Sequence, residues 1–443
     1  MTNIQNNNGE SNNQPLIKTK SNNWLQRLKD ESWEAELLVS AIAIFGTFQL
    51  FKVINWVTNM FIDWLAPEQY LVGYFISFMG LLAVSILVSM FVIHFLLRAY
   101  WIGLVGLNSV FPDYSLKDSV YSEIYTKRIL AILPKLKDSI QKIDDLCSVT
   151  FSAAFAILLI YSYLAILATL YLFLYNFLVK FIPSSIALLP ALVAIFLAFF
   201  QSIFVMVASL KKYKQNEKMQ IWLFKIVKLT SIVVLGPLYK YLLQITMSFA
   251  SNFKQNKALI RYVILFLLSG VFVASYQISN TNILYLAKTN HYFDSTKTFA
   301  GYYETENDNI DFLLNPEIKS DIIEKKIIKL FIPIFEHERI LRKNICTPFE
   351  NNDSASKEEN NLNSKISYLD CYHVYNEIFL DNTKLTPKYR KYYHPRTNQF
   401  GILTYIKLSE IKEGEHMIKI KKNYADKEQN SEWNIPFQYI TNN

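Results

Sequence analysis

KKYKQNEKMQIWLFKIVKLTSIVVLGPLYKYLLQITMSFASNFKQNKALIR, residues 211–261, is the stretch whose placement fixes on which side of a membrane the last third of the chain lies. It holds nine lysines and Arg261 against one acid, Glu217. Its middle is apolar, but Lys225, Lys228, Lys240 and the pair Gly236-Pro237 interrupt it. Each lysine near a bilayer centre costs roughly 2.5–3.5 kcal/mol on insertion scales. Cytoplasmic loops also carry the surplus of Lys and Arg. The reading is therefore a cytoplasmic, interfacial segment over 211–257, with residues 221–249 not crossing. Lys225, Lys228 and Lys240 are candidate contacts for anionic lipid headgroups.

Outward from that stretch the rest of the membrane part follows. The 443 residues are 51% hydrophobic, with 32 Phe and 28 Tyr. Apolar residues gather into runs long enough to cross a bilayer, which predicts an integral membrane bundle of helices. Five spans are expected, near 37–62, 71–97, 148–179, 186–210 and 258–278. Residues 63–69 contain Asp63 and Glu68 but no Lys or Arg, as an external turn should. Residues 98–146 read as a second cytoplasmic, interfacial segment whose helix breaks near Pro134. Residues 1–23, rich in Asn and Gln, read as a disordered cytoplasmic tail, and 24–278 as the bundle. The net charge of +8 follows from this orientation and does not point to nucleic acid.

From residue 279 the pattern becomes short strands separated by turn signals. Strand-like runs are expected at 325–334, 367–375, 377–380, 401–408, 416–421 and 433–440, with a disordered loop over 350–364. ILTYIKLSEIKEGEHMIKIKK, residues 402–422, resembles the late strands of immunoglobulin-like domains. That resemblance implies a C-terminal all-β, immunoglobulin-like sandwich over 279–443, and it carries no statement about activity. Five spans starting from a cytoplasmic N-terminus place this domain outside, in a plasma (inner) membrane protein.

Candidate chemistry is sparse. Lys52 lies within the first span with Gln49 and Asn55 on nearby turns, a candidate intramembrane polar site. It would serve an ion path or a lipid contact. The alternative is a snorkelling lysine with amides that bond between helices. His94 lies one turn before Arg98. His337-Glu338 begins a zinc-protease pattern, but position 341 is Leu, so the motif fails. Cys371 and His373 would share a face only if 367–375 were a strand. Cys346 and Cys371, both in the exported domain, are expected to form a disulfide, with Cys147 a free thiol on the cytoplasmic side. No cofactor or metal site is read, and the function expected is non-enzymatic. The exported sandwich would bind a protein, peptide or glycan of the cell envelope. The alternative is a transporter, channel or pore-forming effector in which the bundle does the work.

Overall fold

The computed structural model describes every residue except 1–14, 112–119, 254–256, 288–299, 307–309, 340–345, 347–355, 410, 424–430 and 441–443. The chain divides into two compact units. One comprises residues 1–52 and 79–277, the other 53–78 together with 278–443.

The first unit is helical. Helix α1 runs unbroken over Pro15–Trp64 and α2 over Tyr70–Val110; α3 is Glu123–Leu130, α4 Leu136–Leu178 and α5 Ser184–Ala208. Then come α6 (Glu217–Leu235), α7 (Tyr239–Phe253) and α8 (Lys257–Gln277). Five apolar stretches are long enough to cross a membrane: 34–64, 67–110, 136–178, 184–208 and 217–245. A shorter apolar helix covers 264–280 among the described residues.

Three expectations about boundaries need correction. The disordered tail is helical from Pro15 onward, while residues 1–14 lie outside the described residues. The second span, expected to stop at Leu97 before an interfacial segment, runs on as α2 to Val110, because no proline stops the intrahelical bonds there. The cytoplasmic helix after Pro134 and the third span are one 43-residue helix, α4. The break at Pro134 itself falls between α3 and α4.

The basic stretch becomes two helices that meet at Gly236-Pro237. Asn216 opens α6 by accepting the Met219 N–H at 3.2 Å. Gly236 closes it at φ 51, a left-handed conformation that disfavours any side chain. By length and composition 217–245 could cross, which the sequence reading had assigned to 258–278 instead. Helix α8 packs into the same core as α2 and α4, with Phe266 beside Ile86, Phe91 and Ala154. Gly270 sits so close to α2 that a Cβ there would lie 2.8 Å from the Ile86 Cα.

The second unit holds two sheets. One has four strands in the order β1-β3-β7-β6: Glu317–Ile318, Ile327–Pro333, Phe400–Lys407 and Arg390–Tyr393. The other has five, β2-β9-β8-β4-β5: Ile322–Ile323, Ser431–Tyr439, Gly414–Lys422, Asn376–Leu380 and Thr383–Leu385. Alternate residues of both sheets, Ile328, Leu330, Ile402 and Ile406 from one and Ile418, Ile420, Trp433 and Ile435 from the other, share one core. Two-residue loop Asp381-Asn382 joins β4 and β5, both residues with positive φ (47° and 73°), as a tight hairpin turn requires.

The all-β expectation is overturned by α10, Lys357–Tyr375, a helix of 19 residues. It occupies most of the supposed disordered loop and the whole supposed strand 367–375. Ser356 caps it by accepting the Glu359 N–H at 3.1 Å, and Tyr372 and Tyr375 enter the sheet core. Residues 350–355 of that loop lie outside the described residues. The strands of the immunoglobulin-resembling stretch, β7 and β8, belong to different sheets, and β2–β9 is a parallel pair. The resemblance therefore does not extend to strand pairing.

Candidate functional site

The second unit contains the turn between α1 and α2, so the strand-rich domain folds around the tip of the first helical hairpin. Phe61, Ile62 and Leu65 at that tip are completely buried. Ile283, Tyr285 and Leu286 of a short helix α9 (Ile283–Leu286) are buried too. Tyr70 and Tyr285 meet with ring centroids 6.2 Å apart.

Polar groups fix this seam. The Asn55 side chain accepts the Asn282 N–H at 3.2 Å, and Asn59 accepts from the Asn282 side chain at 2.7 Å. Asp63 Oδ1 accepts the Glu336 N–H at 3.0 Å, capping the helical turn at 336–339 from a distant part of the chain. His337 Nδ1 donates to the Asp63 carbonyl at 3.1 Å, and the ring lies edge-on to Tyr70 at 6.0 Å. Burial pushes the His337 pKa below its ordinary value, so the ring is held neutral.

Next to His337, Glu338 and Lys422 form an ion pair in which both side chains are 1% exposed. Lys422 Nζ donates to both Glu338 oxygens, at 2.8 and 3.0 Å, and to the Pro333 carbonyl at 2.7 Å. Glu338 also accepts the Phe335 N–H at 3.2 Å. Desolvation pulls the Lys422 pKa down, opposed by the Glu338 charge. A second buried carboxylate, Glu317, is held by Arg396 and by His394, 3.0 Å away. Burial raises the Glu317 pKa against the pull of Arg396. Both carboxylates are thus held by buried cations or donors. Their chemistry is positional: each carboxylate is committed to a cation within the fold.

The helical unit has its own polar cluster, which the sequence reading touched only at His94. Arg98 is 1% exposed and pairs with Glu36 of α1 and with Asp144 of α4, the latter at 2.7 Å. Its guanidinium lies 4.8 Å from the Trp101 ring centroid. One turn away His94, fully buried, is 2.7 Å from the Ser40 hydroxyl. Helices α1, α2 and α4 are thus tied by charge at one level. The signal was available as Glu36, Arg98 and Asp144 at the ends of three apolar runs, but pairing across 46 and 62 residues is invisible without the fold.

The sequence-derived polar site does not assemble. Lys52 and Gln49 are exposed on the surface of α1, whereas Asn55 turns to Asn282. Lys225, Lys228 and Lys240 are exposed, with Lys225 5.5 Å from the Trp222 ring centroid. Because 367–375 is helical, Cys371 and His373 point apart. Cys371 is buried, and His373 stacks on Tyr389 at 4.3 Å. Cys346 and Cys371 are adjacent, with Cα atoms 5.8 Å apart, inside the range a disulfide needs. Cys147 is a buried free thiol. Among the described residues no group of His, Cys, Asp and Glu is arranged to hold a metal.

No protein-family model, curated protein or solved structure matches the chain.

Proposed function

We propose that this chain is a five-span plasma-membrane protein that holds its C-terminal domain outside the cytoplasm as a non-enzymatic interaction or ligand-sensing module of the cell envelope. The observation that carries the reading is the seam between Asp63 and Glu336–His337. The domain is folded onto the turn between the first two helices, so it shares that turn's side of the membrane.

Two arguments support the orientation. The turn lacks Lys and Arg, whereas residues 211–261 carry ten basic residues. Parity then constrains the count. From an external turn the chain crosses inward in α2, outward in α4 and inward again in α5, so one further crossing must return it to the domain. Either α8 or 217–245 can supply it, and both give five spans. The close approach of α8 to α2 at Gly270 favours α8, leaving α6–α7 as a basic hairpin on the cytoplasmic side. A strand-rich domain fastened to the hairpin turn by Asp63 suits a module that passes a binding event to the helices.

The test uses photo-crosslinking residues in the full chain in intact cells. Capture of an envelope protein, peptide or glycan from Tyr393 or Tyr405, exposed on the domain, would support the reading. Capture only from exposed bundle positions such as Phe196 would favour the alternative.

That alternative, a transporter or channel, draws on one feature. Helices α6 and α7 are halves interrupted at Gly236, beside the Tyr163 hydroxyl, with Thr230 and Ser231 buried. Broken helices of this kind line substrate sites in transporters.

A further inference from the structure

We propose that the outer face of the four-stranded sheet is a binding surface for an acidic polysaccharide, one whose sugar rings carry carboxylates. The inference rests on the extracytoplasmic reading above and names the ligand class for that domain. Strand alternation puts Ile327, Lys329, Lys407, Tyr405, Arg390 and Tyr392 on this face, away from the shared core. Lys329 pairs with Tyr405, Ile327 with Lys407, and Arg390 with Leu403. The three cations thus fall at three successive levels along the strands, each about 7 Å from the next, on three different strands.

The floor of the face is closely packed. Phe331 and Leu403 are buried with Leu313, and the Phe331 ring covers Gly401, where a Cβ would lie 2.5 Å from the ring. Tyr392 packs edge-on against Phe331 at 5.9 Å, and its hydroxyl lies 3.4 Å from Lys329 Nζ. Tyr405 is 48% exposed, with nothing among the described residues stacked on its ring.

Charge complementarity identifies the occupant. Strands β3, β6 and β7 carry no acid. Glu317, the one carboxylate of the sheet's remaining strand, is buried and committed to Arg396 and His394. Among the described residues Glu324, exposed and three residues before Ile327, is the nearest exposed acid along the chain, and it lies outside the three strands. Arg and Lys would take carboxylates, Arg in a bidentate fork. The flat, exposed Tyr405 would take the apolar face of a sugar ring, as aromatic rings with a polar tip do at wet interfaces. An acidic peptide would need only the cations, and so would a phosphate polymer.

The experiment uses the full chain in phosphatidylcholine nanodiscs, with polygalacturonate as the probe. The expected result is saturable binding to polygalacturonate and at least tenfold weaker binding to a neutral glucan. Lys329→Glu/Lys407→Glu should weaken binding at least tenfold, and Tyr405→Ala several-fold even at high salt. All altered side chains are exposed, and thermal melting checks that the variants fold; Lys329→Ala, a milder change, should still weaken binding measurably. Failure to bind polygalacturonate, or unchanged affinity in the double variant, overturns the proposal. So does equally tight binding of polyphosphate or polyglutamate that ignores Tyr405, or preference for anionic vesicles. A reporter fused to the C-terminus is read in parallel. A fusion that reports inside overturns the extracytoplasmic reading, whereas one that reports outside with no polygalacturonate binding overturns only the ligand class.

Discussion

Asp63 Oδ1 accepts the backbone N–H of Glu336 at 3.0 Å across 273 residues of sequence. A carboxylate on the first helical hairpin thereby caps a helical turn of the strand-rich domain. Asp63→Ala removes this acceptor, and loss of a cap costs about 0.5–2 kcal/mol. We expect a melting temperature lower by a few degrees in detergent and faster proteolysis near residue 336. Asp63→Asn, which keeps an oxygen there, should lose less. Equal behaviour of the wild type and the alanine variant would mean the contact contributes nothing.

Lys422 and Glu338 make a different prediction, because both are out of water. Lys422→Ala leaves a carboxylate buried without its partner, a change that typically costs about 3–5 kcal/mol. The double variant Lys422→Met/Glu338→Gln removes both charges and should recover much of that loss. Thermal or denaturant melting of the three proteins checks the order, and a double variant as unstable as the single one would contradict it.

His416 supplies a pH dependence. Burial opposes its charge, but the Asp381 carboxylate 2.5 Å away and the Lys412 carbonyl at 2.7 Å outweigh burial, so its pKa is raised above 6.5. A group with a raised folded pKa contributes stability that is full below the unfolded value and is lost as pH rises through the folded one. Relative to His416→Gln, the wild type should therefore be stabilised at pH 5.5 and lose that advantage by pH 8.5. Asp381→Asn should flatten the difference, and a gap that widens with rising pH would refute the assignment.

The pairing of Cys346 with Cys371 would tie the start of the 346–371 loop to α10. A crosslink over 25 residues is worth about 3–4 kcal/mol in the chain-entropy model. In non-reducing conditions both thiols should resist alkylation, and reductant should expose them and lower the melting temperature. Labelling of both cysteines without reductant would exclude the bond.

How much was legible beforehand depended on the range of the interaction. The strands at 327–333, 400–407, 414–422 and 431–439 follow from alternation and β-branched residues, which are local signals. The break at Pro134 is equally local. Helix α10 was missed because its Asn-rich composition resembles disorder, although Ser356 and Glu359 have the spacing of a capping box. The continuity of α2 past Leu97 was missed because Arg98 reads as the charged end of a span, whereas its guanidinium is buried between Glu36 and Asp144 within the helix. The seam around Asp63 and the cluster around Arg98 had no local signature. Each joins groups far apart in sequence, and residues 49, 52 and 55 are not brought together because Gln49 and Lys52 are exposed on α1 while Asn55 turns to Asn282. A polar residue in an apolar run marks a contact, but the fold alone says with what.

The side of the membrane occupied by the C-terminal domain tests the central claim most directly. Alkaline phosphatase, active only outside, and green fluorescent protein, fluorescent only inside, can be fused after Asn443 and inserted after Asn216. Phosphatase activity at 443 with fluorescence at 216 is the predicted pair of results. Fluorescence at 443 would mean that an even number of spans separates the two termini, and would contradict the account.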